Sequence, residues 1–377
     1  MNPYSSRKRL LRVLKGESID RIPVSLLEFD GFYDSWIHES PEYVDILDYA
    51  KGKTDKMYSW SPDWKGMKTL FLNRIEEKDL RIKEWFKGKR KFTKTIINTP
   101  KGEVQNMRCE EEGVHTSWTV EHFCKDIGDA KKVLSLPYNP GFPSVKGFGE
   151  ADEQLGEEGI LMIDLADPLA LVAPLFAFSD FLIFAITEEK MVMELLDAAY
   201  ERTYNYTEYL LKKGLVTLFR IAGSEYATPP YLSPSYFDKF VTKYDKELIS
   251  LIHSYGGFAR LHCHGRIEKV LDQISSMSPD ALEPIEQPPD GDIELRDIKQ
   301  RVGNKITLMG NVEERCFEVC SREEMDNIVR RAIEEGAPGG RFVLLPTAMP
   351  FTTPLKQRIK ENIIQYIDSG LSYGEYR

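Results

Sequence analysis

From residue 159 onward, short apolar runs alternate with longer amphipathic stretches, and this alternation limits the possible folds more than any other feature of the chain. The runs are ILMIDL (160–165), LVTLFRIAG (215–223), GGFARLHCHG (256–265), DALEPIE (280–286), KITLMGN (305–311) and RFVLLP (341–346). Each is of strand length. Between them lie helical patterns such as 188–214 and 233–256, both ending at glycine, a frequent helix C-terminal residue. The second opens on Ser233-Pro234, an N-cap followed by proline at the first helical position. Strands separated by helices pair in parallel under a helical cover. RIPVSLLEF (21–29) and KMYSWS (56–61) add two earlier strands, and 5–16 reads as a helix. Eight such strands predict an α/β fold, a (β/α)8 TIM barrel with an N-terminal helix. A doubly wound open sheet is the rival, but no GxGxxG or GxxxxGK[ST] follows any run.

Residues 85–120 break the rhythm. Their β-branched alternation on either side of Pro100-Lys101-Gly102 predicts an inserted antiparallel β-hairpin. With no repeat, low-complexity tract or linker, residues 1–377 are expected to form one domain, inside the span of about 200 to over 400 residues that such barrels occupy.

Barrels of this kind carry their chemistry at the C-terminal ends of the strands. That places Glu28 and Asp30, Asp164 and Asp167, Glu225, His262 and His264, Glu283 and Glu286, Asn311 and Thr347 among the candidates. The strongest local signal is Leu261-His262-Cys263-His264-Gly265. Side chains alternate along a strand, so the two histidines point one way and Cys263 the other. Two imidazoles with a carboxylate from the adjacent strand, most simply Glu225, would give three ligands and an open fourth position, as in a catalytic Zn2+ site. The alternative is two hydrogen-bonding histidines without metal. Proton transfer or substrate orientation falls to Glu28, Asp164 or Glu283. Asn311 and Thr347 are read as substrate-binding, with Tyr58 and Trp60 as an apolar wall. Asp164 and Asp167 equally suit helix caps. Glu283 and Glu286 straddle a proline, and only one of them is expected to face inward.

The net charge of −10 disfavours nucleic-acid binding, because phosphate contacts need clustered Lys and Arg. The one basic stretch, Lys87–Lys94, reads as a solvated hairpin face. No apolar run reaches the roughly 18 residues a membrane span needs. Five cysteines without a CxxC pair read as reduced thiols, and MNPYSSRKRLLRVLKGE lacks the apolar run of a signal peptide, so a cytoplasmic protein is expected.

The order of motifs resembles the uroporphyrinogen decarboxylase superfamily, and its cobalamin-dependent methyltransferase branch more than the decarboxylases. After the N-terminal helix, Arg21-Ile22-Pro23-Val24 looks like the family's opening. Leu232-Ser233-Pro234 with Phe240-Val241 and Tyr244 looks like its Ser-Pro helix. His262-Cys263-His264-Gly265 sits where the methyltransferases carry HxCG, Gly310-Asn311-Val312 resembles the family's Gly-Asn turn, and Pro350-Phe351-Thr352-Thr353-Pro354-Leu355 resembles its final proline segment. The resemblance covers most of the chain and implies a (β/α)8 barrel. For the methyltransferase branch it implies Zn2+ that activates a methyl acceptor or donor, and a corrinoid, methylcobalamin, carried by a partner protein. His262 matches the first zinc ligand of that branch. The second, normally Cys, is His264, and the third falls near Thr347, so a nitrogen- and oxygen-rich set of His262, His264 and Glu225 takes the place of a thiol-rich one. Where the decarboxylases carry an Arg-rich segment for porphyrinogen carboxylates, this chain has Leu26-Leu27-Glu28-Phe29-Asp30-Gly31-Phe32, with two acids and no arginine. The expected activity is methyl transfer between a small methylated compound, methoxylated ones included, and a corrinoid protein. A metal-free decarboxylase or lyase acting on a small acid, and a non-catalytic ligand-binding barrel, are the alternatives.

Overall fold

A computed structural model describes residues 4–27, 37, 40–112, 114, 116–352 and 354–375. In chain order, helix α1 (Ser6–Lys15) is followed by strand β1 (Lys56–Ser59) and a two-residue ribbon, β2 (Thr69–Leu70) and β3 (Asn73–Arg74). An antiparallel meander comes next: β4 (Leu80–Lys87), β5 (Arg90–Thr99), β6 (Gly102–Glu111) and β7 (Ser117–Glu121). The expected hairpin over 85–120 is therefore a four-stranded sheet beginning at Leu80. The missed outer strands are short and bear alternating charges, as in LRIKEWFK, which masks the strand pattern.

The main sheet resumes with β8 (Gly159–Ala166), β9 (Leu218–Ala222), β10 (Phe258–His262), β11 (Ala281–Glu283), β12 (Thr307–Val312) and β13 (Phe342–Pro346). These six and β1 form one parallel sheet in the order β1-β8-β9-β10-β11-β12-β13. All six late runs became strands because each is largely apolar and buried on both faces, as a helix-covered parallel sheet requires. The eighth position is held by extended chain rather than the full strand expected over 21–29. Val24 bridges Leu344 in parallel. The Ser25 amide donates to Leu344 O at 3.0 Å, the Leu344 amide to Pro23 O at 2.9 Å, and the Asp55 amide to Val24 O at 2.7 Å, which closes the sheet into a barrel. Pro23 has no amide to give a longer ladder.

Alternation sorts the strand residues onto two faces. Outward residues such as Ile163, Phe219, Leu261, Leu282, Leu308 and Leu344 join the large core under the helices. Inward residues Met57, Ile160, Met162, Leu218, Ala281, Met309, Val343 and Leu345 form a separate core inside the barrel. Helix α1 plugs its floor with Leu10, Val13 and Leu14, and Thr307 Oγ1 donates to Val13 O at 2.9 Å. Buried Asp55 fixes this plug to the closing strand, pairing with Arg9 at 2.6 Å and Arg21 at 2.7 Å and accepting the Val24 amide at 2.9 Å. No single helix among the described residues is long and apolar enough to cross a membrane.

Candidate active site

Above the apolar floor the inward positions turn polar. The same alternation that buries Met162, Leu218 and Met309 aims Asp164, Arg220, Arg260, His262, Glu283 and Asn311 into the upper barrel. Arg260 is 1 % exposed and lies over the floor, with Nη1 3.5 Å from Met57 Sδ and 3.4 Å from Met162 Sδ. Its Nη2 pairs with Glu283 Oε2. Glu283 Oε1 lies 3.1 Å from Arg220 Nε and 3.1 Å from His262 Nδ1. Arg220 Nη1 is 3.5 Å from Asp164 Oδ1, and Ser59 Oγ donates to Asp164 Oδ2 at 3.3 Å. Burial alone would push the Glu283 carboxyl up, but Arg260, His262 and Arg220 outweigh it and hold it well below the ordinary carboxylate range. An ionised carboxylate only accepts hydrogen bonds, so His262 carries its proton on Nδ1 and can turn Nε2 toward a ligand.

His264 lies just past the end of β10, yet its ring centroid is 4.6 Å from that of His262 at an interplanar angle of 83°. Its Nδ1 is 2.9 Å from Glu286 Oε1, and the Gly265 amide donates to Glu286 Oε2 at 2.6 Å. Burial lowers the His264 pKa, but the Glu286 contact and the charges of Glu225 and Glu283 overcome it, so the net shift is upward. The expectation that only one of Glu283 and Glu286 faces inward is corrected: each serves its own histidine. β11 ends at Glu283, and strand alternation no longer applies at Glu286.

Glu225 sits in the turn Ser224–Ala227, and its carboxylate accepts the Gly223 amide at 3.1 Å. Among the described residues, no three His, Cys, Asp or Glu side chains are grouped so as to hold a metal ion. His262, His264 and Glu225 are therefore not assembled as a ligand set: each histidine is bonded to a different glutamate, and Glu225 to its own loop. Thr347 uses its hydroxyl on the loop after β12, donating to Glu313 Oε2 at 3.2 Å and accepting the Glu314 amide at 3.1 Å. Tyr58 and Trp60 do not line the mouth. Met57 and Ser59 take the inward positions of β1, so Tyr58 packs outside with Leu155 and Leu161, and Trp60 meets Phe148 edge-on at 5.2 Å. Glu28 and Asp30 lie outside the described residues. Asn311 is 1 % exposed, and neither its Oδ1 nor its Nδ2 has a hydrogen-bond partner among the described residues. A buried carboxamide in that state costs about 1–3 kcal/mol, which a polar ligand atom in the barrel would recover.

The residues that sequence reasoning missed are Arg220 and Arg260. Their signal was parity: Arg260 is two residues before His262 and shares its face. A second group, of which Asp167 was expected as a helix cap and Asp245 was missed, lies behind the histidines. Asp167 caps the helix Pro168–Val172, accepting the Ala170 amide at 2.6 Å, while fully buried Asp245 has no partner for either carboxylate oxygen among the described residues. Burial, and for Asp167 the charge of Asp245, push both carboxyls well up. Cys263 points into this region, as alternation requires, and burial pushes its thiol up.

Residues 148–358, more than half of the 377-residue chain, match the family model described as uroporphyrinogen decarboxylase (URO-D). The chain belongs to the uroporphyrinogen decarboxylase family. One curated relative and one solved structure similar to the chain are methyltransferases. The chain is 19 % identical over 313 residues to the methylcobamide:CoM methyltransferase MtaA of Methanosarcina barkeri, covering 83 % of this chain and 84 % of that protein. Its fold matches a solved methyltransferase from Methanosarcina mazei with a TM-score of 0.60 at 15 % identity, across 98 % of this chain and 99 % of the other. The barrel and the family expected from the motifs are those found, and the curated relative is a methyltransferase, as the resemblance implied.

Proposed function

We propose that this chain is an enzyme that moves a methyl group between a small methylated compound and a corrinoid carried by a partner protein. The similarity to the methylcobamide:CoM methyltransferase, extending over 83 % of the chain, carries this reading. The geometry supports it with an apolar floor, a fixed charge cluster above it and an unsatisfied, buried carboxamide on the inward face. His262 is the group we assign to the reacting atoms, through Nε2. Glu283 is a positioning residue that fixes its tautomer and ring, as carboxylate partners of functional histidines do. Asn311 binds a polar atom of the substrate, and Asp164, steadied by Ser59 and Arg220, orients it.

When bound, zinc would lower the proton affinity of a ligand or activate a methyl acceptor. The residues described do not form a ligand set for it, and no step here depends on it. Elemental analysis of the purified protein beside His262→Ala and His264→Ala variants checks this point. No zinc that depends on these rings is expected; stoichiometric zinc lost in both variants would restore the trio. The methyl-transfer reading itself is tested by mixing the protein with methylated donors and cob(I)alamin and following formation of methylcobalamin. Transfer that needs the protein supports it, and none from any donor overturns it.

A metal-free lyase acting on a small acid is the second reading. It draws on His264, whose contact with Glu286 favours the protonated ring, as a general acid. Release of CO2 from a carboxylate substrate, with no methyl transfer, would favour it.

A further inference from the structure

Beside the histidine pair the mouth opens into a cavity of about 390 Å3, within the range of roughly 300–1,000 Å3 usual for small-molecule sites. One wall is aromatic. Phe178 meets Tyr231 edge-on, with centroids 4.9 Å apart at 83°, and lies 5.9 Å from Tyr226 at 59°. Three segments build this wall: the helix Phe178–Thr187, the turn Ser224–Ala227 and the loop after it. Tyr231 is 51 % exposed and Phe178 36 % exposed, so both rings remain partly open to solvent where they line the cavity. The facing wall carries the carboxylates of Glu225, Glu286 and Asp290. His264 offsets Glu286, and Arg315, 3.0 Å from Asp290, offsets that acid from outside. Among the described residues that line the cavity there is no lysine or arginine.

Ring faces and a carboxylate without a salt-bridge partner among the described residues, that of Glu225, attract the same kind of group. A cation over an aromatic face within about 6 Å of the centroid is favoured by the ring quadrupole, most of all when its charge is spread over methyl groups that water solvates poorly. A neutral methoxy compound gains nothing from the Glu225 charge and would have to desolvate it. The chain's net charge of −10 acts in the same direction at long range.

We propose that this cavity binds a methylated ammonium group, and that the methyl donor is such a cation rather than a methyl ether. The donor assignment rests on the methyl-transfer reading; the binding assignment does not. The charge also suits the chemistry. When a quaternary N–CH3 bond breaks toward a nucleophilic corrinoid cobalt, the electron pair stays on nitrogen and a neutral amine leaves, with no proton required. A methyl ether would need an acid for its leaving alkoxide.

Calorimetric titration of the purified protein with choline and with 3,3-dimethyl-1-butanol, the same shape without the charge, tests the site. Choline should bind at least about tenfold tighter. Tyr231→Ala should weaken choline by about threefold to thirtyfold, while Tyr231→Phe, which keeps the ring face, should not. Equal or undetectable binding of the two probes, or choline binding indifferent to Tyr231→Ala, overturns the proposal. Choline bound with no methyl passed to cob(I)alamin from any donor would leave the cation site standing and sink methyl transfer. Transfer from neutral methyl ethers without choline binding would do the reverse.

Discussion

Glu283 takes contacts from Arg260, Arg220 and His262 in a space closed to water, and Glu283 and Arg260 are each 1 % exposed. Removing one partner of such a buried group leaves uncompensated charge, at a cost of about 3–5 kcal/mol. Glu283→Gln should therefore lower the unfolding free energy by that order in urea melts, and a loss under about 1 kcal/mol would contradict the geometry. A carboxylate whose folded pKa is depressed stabilises the fold above its unfolded value of about 4.3 and loses that contribution as pH falls through the folded value. The parent should thus lose stability on acidification below about pH 4 more steeply than Glu283→Gln. His264 has the opposite sign. Its raised pKa contributes stability that is complete below about pH 6.5 and is lost as pH rises through the folded value, so His264→Asn should flatten the stability curve above that pH. Asp245 is buried with its pKa pushed up, so the fold holds a proton that the unfolded chain has released near neutral pH. The parent should therefore lose stability relative to Asp245→Asn as pH rises above about 4, and parallel stability–pH curves for the two would contradict this.

The elements were legible where both faces of a strand are buried. Each of the six late runs became a strand because a helix-covered parallel sheet needs apolar side chains above and below. The segment 21–29 was harder, since Pro23 and its bridge-only pairing leave it outside regular strand geometry. The histidine pair was legible because strand parity holds through His262 and the rings stay adjacent at 4.6 Å. Tyr58 was misplaced because KMYS can be set with either parity, and only the floor contact of Met57 decides it. Phe178 and Tyr231 were invisible, coming from the start of one helix and a separate loop with no shared local pattern. Helix α1 is a floor plug, so Leu10→Ala should cost about 2–5 kcal/mol in urea unfolding, as for a core leucine; a surface-like loss below about 0.5 kcal/mol would refute the plug. The helix Arg322–Gly336 opens with a full capping box on Ser321 and Glu324, and Ser321→Ala should cost about 0.5–2 kcal/mol in the same measurement.

At the scale of the whole molecule, an apolar plug closes one end of the barrel and polar groups from β8 to β12 converge at the other. This division is what lets charges such as Glu283 act in a dry, fixed setting, where electrostatic interactions are stronger than in water. The methyl transfer proposed for that mouth and the cation site proposed for the cavity beside it both draw on this division. The most direct measurement is the rate at which the purified protein methylates cob(I)alamin from a methylated donor, compared with its His262→Ala variant. The account predicts transfer by the parent and a loss of about a hundredfold in the variant, the scale on which disturbed positioning of the reacting atoms slows a transfer. A parent that moves no methyl group, or a variant as fast as the parent, would contradict it.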